Sequence, residues 1–230
     1  MRLLVLLIVL CQAPISQLLA ADPLLVTFDG VTFSGSNIGL NYSVSDLAAG
    51  SDLSLFTGLA SGNPAFAYSA NGWTTSPTYS PDSSMFFTIT PAANYRLNLT
   101  SIAFDYQTQG AGPQRIGTRV QVGSESIKDY VPVNNDVVSP ATLPADAYKA
   151  WTSYVRPGSV SSSAGQSITV FLVGFEAQNS SKAMSIDNIS LRGTVTAVPE
   201  PSSIAQMIVL LGASAAAFAW RRRHKKAVGN

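Results

Sequence analysis

The chain has 230 residues and a formal net charge of +1, but between Asp22 and Val198 twelve acids outnumber eight bases, a net of −4, which gives no electrostatic footing for nucleic acid. Its one Cys and one His, Cys11 and His224, lie close to the two ends, so the body has no residues for a disulfide, a Cys/His zinc site, a Cys nucleophile or a Ser-His-Asp triad. The body is still long enough for one domain with a real core.

At the N-terminus, Arg2 precedes the apolar run Leu3–Leu10, and the stretch closes on Ala20-Ala21. One cation, a short apolar region and small residues at the end predict a signal peptide over 1–21, removed by signal peptidase. The run is too short for a membrane span. Leu10 before Cys11 is large where lipidation needs a small residue.

The middle reads as strands. Leu25–Phe28 opens the body. Met85, Phe87 and Ile89 alternate with Phe86 and small polar residues. Ile116, Thr118, Val120 and Val122 share one face, opposed by Arg115, Arg119 and Gln121. Ile168–Phe175 is apolar on both faces, as a central strand requires. Ile127–Val133 and Ala150–Val155 are weaker. Turn-formers punctuate these runs at Asn71-Gly72, Ser80-Pro81-Asp82, Gly110–Pro113, Asn134-Asn135-Asp136, Pro157-Gly158 and Ser161–Gly165. With no amphipathic helix and no alternation of strand and helix, the pattern predicts an all-β antiparallel β-sandwich or jelly roll over 22–196.

Two strands change phase. The apolar set is Tyr95, Leu97, Leu99 and then Ile102, Phe104, Tyr106; in the last strand it is Met184, Ile186 and then Ile189, Leu191, Val195. Side chains alternate faces, so a parity switch inside a strand requires an extra residue. Bulges are expected near Thr100-Ser101 and near Asp187-Asn188, where neither junction has the Gly or Pro of a turn.

Three constellations carry candidate chemistry. Asp29 and Asp187 lie on the first and last strands, often neighbours in a jelly roll. Two carboxylates with backbone carbonyls could hold Ca²⁺; otherwise Asp187 and Asn188 satisfy the bulge. No other cofactor is expected. Trp73, placed just after the Asn71-Gly72 turn, and Tyr79 are candidates for stacking on a sugar, with Tyr68, Tyr148 and Tyr154 as further rings; Trp151 is expected to face the core. Glu125 and Glu176 are the only Glu residues between the ends, and nothing links them as an acid/base pair. No catalytic residue is assigned.

The chain finishes with Val198-Pro199-Glu200-Pro201, an uncharged stretch Ile204–Trp220, and the cations Arg221, Arg222, Arg223, Lys225 and Lys226. The prolines hold an extended backbone around one carboxylate. Seventeen uncharged residues in a helix span about 25 Å, enough for a marginal membrane crossing, and the cations orient it with its C-terminus in the cytoplasm.

These three ordered elements over 197–230 resemble the tail of bacterial PEP-CTERM proteins. That resemblance implies a membrane-embedded exosortase as partner, which recognises Val198–Pro201 and cleaves nearby. It makes 204–220 a temporary inner-membrane anchor and 221–226 an orientation signal. It also implies a Gram-negative exporter that makes extracellular polysaccharide, and a destination at the cell surface or extracellular matrix. Met184–Val195 (MSIDNISLRGTV) and Phe86–Pro113 are similar to strands of jelly-roll domains of the galactose-binding-like and laminin/concanavalin-like kind. The expected function is a non-enzymatic envelope or matrix protein associated with extracellular polysaccharide. The alternatives are a polysaccharide-active enzyme using paired carboxylates, or a purely structural surface protein.

Overall fold

The computed structural model describes residues 23–28, 32–37, 39–58, 67–130, 137–138 and 151–199. In chain order the strands are Leu24–Phe28 (β1), Ser36–Asn37 (β2), Tyr42–Val44 (β3), Ala48–Ala49 (β4), Ser54–Gly58 (β5), Ala67–Asn71 (β6), Ser84–Pro91 (β7), Tyr95–Thr108 (β8), Arg115–Val122 (β9), Lys128–Asp129 (β10), Val137–Val138 (β11), Thr152–Ser161 (β12), Ile168–Phe175 (β13) and Met184–Ala197 (β14). The helical content of the described residues is one 3₁₀ turn, Pro81–Ser83, where Ser80 Oγ accepts from the Asp82 N–H.

All pairings are antiparallel and make two sheets. The first runs β12-β8-β14-β1-β2, with β6 also on β14 and β5 on β6. The second runs β10-β9-β13-β7-β3, with β11 on β9 and β4 on β7. The expected sandwich is therefore the fold. The first and last strands do lie side by side, with Phe28 opposite Ile189. Strand β13 is central, between β9 and β7.

The alternation in the sequence decides what the sheets bury between them. Met85, Phe87 and Ile89 are fully buried, as are Ile116 and Val120. Phe28 of the first sheet meets Phe87 of the second with ring centroids 4.8 Å apart. Phe104 stacks on Tyr154 at 4.5 Å, and the Tyr154 hydroxyl lies 3.0 Å from Thr118 Oγ1, a buried polar link between the sheets. Burying one such aromatic or aliphatic side chain contributes roughly 1.5–3 kcal/mol.

Both expected bulges are present. Between Asp187/Ser190 strand β14 advances three residues while β8 advances two, from Asp105 to Ala103. Asn188 takes φ 51°, its N–H donates to Asp187 Oδ1 at 2.7 Å, and its Nδ2 donates to Asp105 Oδ2 at 2.8 Å. Between Arg192/Gly193 the extra residue is on β8, at Thr100. The two irregularities restore phase, so Leu97, Leu99, Ile102 and Phe104 all reach one core.

One turn expectation and one strand expectation are corrected. Pro157-Gly158 does not separate strands; it lies inside β12, where the register shifts between Pro157/Val160. Proline lacks an N–H, and β12 is an edge strand with a bulge, where that loss is tolerated. Ile127–Val133 contributes only Lys128–Asp129 to the sheet, and 131–133 lie outside the described residues.

An Asn188→Val substitution places a β-branched residue in the left-handed region and removes the bond to Asp105; a loss of about 1–2 kcal/mol is expected in urea unfolding. Burial pushes the Tyr106 and Tyr130 hydroxyls above the ordinary tyrosine range. The fold therefore holds these protons more tightly than the unfolded chain does. Their contribution is complete below pH ~10 and is lost as pH rises beyond it, so thermal melts at increasing alkaline pH should show a falling midpoint.

Candidate functional site

The outer face of the second sheet carries a second apolar cluster, separate from the core. It centres on Phe171, Val173 and Phe175, with Tyr79, Phe86 and Ile127 packed against them. Strand pairing builds it row by row. Arg119 of β9 lies opposite Phe171 of β13, which lies opposite Phe86 of β7. The Phe86 and Phe171 rings are 5.7 Å apart. In another row Thr88 Oγ1 lies 2.9 Å from Thr169 Oγ1, with Gln121 opposite Thr169.

Tyr79 reaches this face from the segment after Gly72. That segment is stitched to the end of β13 by Glu176 N–H to Ser76 O and Ala177 N–H to Thr74 O, each 3.0 Å. The Arg119 guanidinium lies 4.8 Å from the Tyr79 ring centroid, and its Nε is 2.6 Å from Asp129 Oδ1. Arg119 is almost wholly buried, and its ion pair with Asp129 holds the cation over the ring. Burial pushes the Tyr79 hydroxyl above its ordinary range, partly opposed by Arg119. Further along, Arg115 Nε pairs with Glu176 Oε1 at 3.1 Å. Half-buried rings of Tyr79 and Phe86, rimmed by hydroxyls, an amide and fixed ion pairs, offer a flat apolar body with polar edges. That chemistry suits one face of a pyranose.

The predicted aromatic pair divides here. Tyr79 is on this face; Trp73 is not. Trp73 is fully buried in the main core, and its Nε1 donates to Ala70 O at 2.7 Å. The expected turn at Asn71-Gly72 is not formed: β6 runs to Asn71 and the chain continues through Gly72, at φ 95°, without a turn or bend, and the indole faces inward, so Trp73 cannot stack on a ligand. Tyr68 and Tyr154 are also buried, Trp151 is half-buried, and Tyr148 lies outside the described residues. Phe86, Phe171 and Arg119 were not singled out from the sequence. A signal for Phe171 was available in the run Ile168–Phe175, whose second apolar face needs a cover; Phe86 and Arg119 had none.

The two Glu residues are held apart. Glu176 follows one end of β13. Glu125 belongs to the turn at the other end, ion-paired to Lys128 at 3.0 Å. Eight residues of strand separate them, on the order of 25 Å, far beyond the ~5–9.5 Å of a glycosidase pair. On the first sheet, Asp187 is fully buried opposite Asp105, and its Oδ1 serves the bulge. Asp29, its expected companion, lies outside the described residues.

Strand β14 ends with Ala197 opposite Tyr95, and the Val198 N–H donates to Asn94 O at 2.7 Å. Pro199 follows, exposed. Glu200, Pro201, the 204–220 stretch and the cations Arg221, Arg222, Arg223, Lys225 and Lys226 lie outside the described residues, as does the 1–21 segment. Among the described residues no helix is long and apolar enough to cross a membrane.

Residues 197–223 match the PEP-CTERM protein-sorting motif. The chain thus carries an exosortase sorting signal that begins where its last strand ends. No curated protein sequence matches the chain. Among solved structures, TmCBM27, a carbohydrate-binding module studied for specific mannan recognition, is 12% identical over 74% of this chain and 98% of its own, with a TM-score of 0.38. TmCBM61, solved with β-1,4-galactotriose, is 16% identical over 67% of this chain and 90% of its own, with a TM-score of 0.30. A family 11 carbohydrate-binding module from Clostridium thermocellum, solved with a β-1,3-1,4-mixed-linked tetrasaccharide, is 15% identical over 76% and 97%, with a TM-score of 0.31. Overlaps this loose assign no residue and no ligand to the present chain.

Trp73→Ala should cost about 3–5 kcal/mol of stability in denaturant unfolding, the cost of emptying a core site. Tyr79→Ala, on the outer face, should cost far less in the same measurement.

Proposed function

We propose that this is an exported, non-enzymatic β-sandwich, delivered by its signal peptide and held briefly in the inner membrane by 204–220. An exosortase then cleaves it near Pro199-Glu200-Pro201. At the cell surface or in the extracellular matrix it associates with polysaccharide through the Tyr79–Phe86–Phe171 face. The observation that carries the delivery is the junction itself: folded structure runs to Val198, and the sorting motif starts at residue 197. The sandwich is cargo and the tail is its address, with almost no linker between them.

The ligand reading rests on the chemistry of the outer face. A monomer rarely leaves aromatic rings clustered and half-open beside a buried, ion-paired arginine without a use. The non-enzymatic reading is supported by placement. Glu125 and Glu176 stand at opposite ends of one strand, and Asp187 is sealed from any sugar. The functional residues proposed are therefore Tyr79 and Phe86 as stacking surfaces, with buried Phe171 supporting them from beneath and Arg119 holding Tyr79 in place.

On a glycan array, the processed protein should bind a subset of polysaccharides, and Tyr79→Ala or Phe86→Ala should weaken binding roughly tenfold, equivalent to ~1.4 kcal/mol. The same glycans should release no reducing sugar. Release that disappears in Glu176→Gln would establish the enzymatic alternative, and a silent array the purely structural one. Replacing Pro199, Glu200 and Pro201 by Ala should leave the full-length chain in the membrane fraction. Excess chelator should leave the melting transition unchanged; a lowered midpoint that Asp187→Asn abolishes would instead support Ca²⁺ at Asp29 and Asp187.

A further inference from the structure

We propose that, before cleavage, the C-terminal-exit end of the sandwich docks on the surface of the lipid bilayer that holds the chain's own anchor, with Leu40 as the residue that enters the interface. The inference rests on the proposed membrane stage of 204–220 and adds an orientation and a contact to it.

Three backbone hydrogen bonds assemble this end. Ala92 N–H donates to Asn41 O at 2.8 Å, Tyr95 N–H to Ala92 O at 2.9 Å, and Val198 N–H to Asn94 O at 2.7 Å. They tie the turn after Leu40, the β7–β8 turn and the exit of the chain into one tip. The β12–β13 turn joins it, because Gly165 N–H donates to Tyr95 O at 2.8 Å. Leu40 is 85% exposed, the largest value among the exposed large hydrophobic side chains. Ala92, Ala93 and Ala164 beside it are exposed as well. The turns 39–41, 91–94 and 163–165 contain no charged residue. Charge begins at the margins, with Arg96, whose Nε donates to Thr196 Oγ1 at 3.1 Å, and with the Glu125–Lys128 pair. An apolar tip with a charged margin is the pattern of an interfacial contact.

The tether supplies the occupant. Only residues 199–203 separate the last hydrogen-bonded residue, Val198, from the apolar stretch at Ile204. Fully extended, they reach ~16–18 Å. The headgroup layer on one side of a bilayer occupies roughly 5–8 Å of that. With the stretch in the membrane, this tip has no other surface within reach. One leucine partitions weakly alone, but a short tether holds it at high effective concentration against the lipid. Cleavage near Pro199–Pro201 cuts the tether, so the contact ends when the domain is released.

The test uses residues 22–230, the chain expected after signal-peptide removal, which contains no Cys, reconstituted in vesicles of phosphatidylethanolamine and phosphatidylglycerol. An environment-sensitive dye is placed at Leu40→Cys, or at Thr75→Cys on the opposite end. The Leu40 label should shift its emission to shorter wavelength and be quenched by a lipid-borne quencher, while the Thr75 label keeps its aqueous emission. A long Gly/Ser insertion between Ser202 and Ser203 should abolish the Leu40 shift. If the chain floats with the vesicles but the two labels behave alike, or if the insertion leaves the shift intact, the docking is overturned and the anchor stands. If the chain does not float, the anchor itself fails and the docking with it.

Discussion

The antiparallel pairing of β8 with β14 is the constraint on which the molecule depends. Each strand is fourteen residues long, more than twice the usual length, and their pairing runs from Met184↔Thr108 to Ala197↔Tyr95. A strand that long twists and coils out of plane with its neighbours. Here two bulges absorb the mismatch, one on each strand, and each returns the following apolar residues to the core side. Strand β14 can then serve β6 with its first residues, Met184–Ile186, and β1 with its later ones, Ile189–Arg192. The cost of the arrangement is local: Asn188 sits at positive φ, and its neighbour's carboxylate is buried to satisfy the bent backbone.

The second sheet solves a different problem. Its central strand is apolar on both sides, yet only one side can face the first sheet. The outward set, Phe171, Val173 and Phe175, is nonetheless buried, because Tyr79, Phe86 and Ile127 lean over it. Arg119 makes this cover rigid. Its charge is met by Asp129, its guanidinium lies over the Tyr79 ring, and the segment that brings Tyr79 is bonded to the end of the central strand, β13. Rigid rings on a sheet lose little freedom when a ligand settles on them, which makes the face suited to recognition.

The exit of the chain links fold to destination. Because the sheet continues to Val198, the sorting motif has no flexible linker before it, and the end of the sandwich that bears Leu40 is also the end from which the tail emerges. Under the proposed membrane stage of 204–220, this topology turns the Leu40 end toward the bilayer and leaves the Tyr79 face on the outside of the other sheet.

The sequence by itself was enough for the sandwich, the central place of Ile168–Phe175, both bulges and the sorting tail. Each of these is a local signal: parity along a strand, or the order of prolines, apolar residues and cations along a line. It failed where a side chain's direction depends on partners distant in the chain. Asn71-Gly72 reads as a turn but the strand passes through it without one, so Trp73, expected exposed, is buried. Pro157-Gly158 reads as a break but is tolerated because, among the described residues, β12 has no neighbour beyond it. Arg119 and Phe86 carry no site signature at all. They become neighbours only because β9 and β7 flank β13, and that adjacency is a property of the folded sheet, created when strands far apart in sequence come into register.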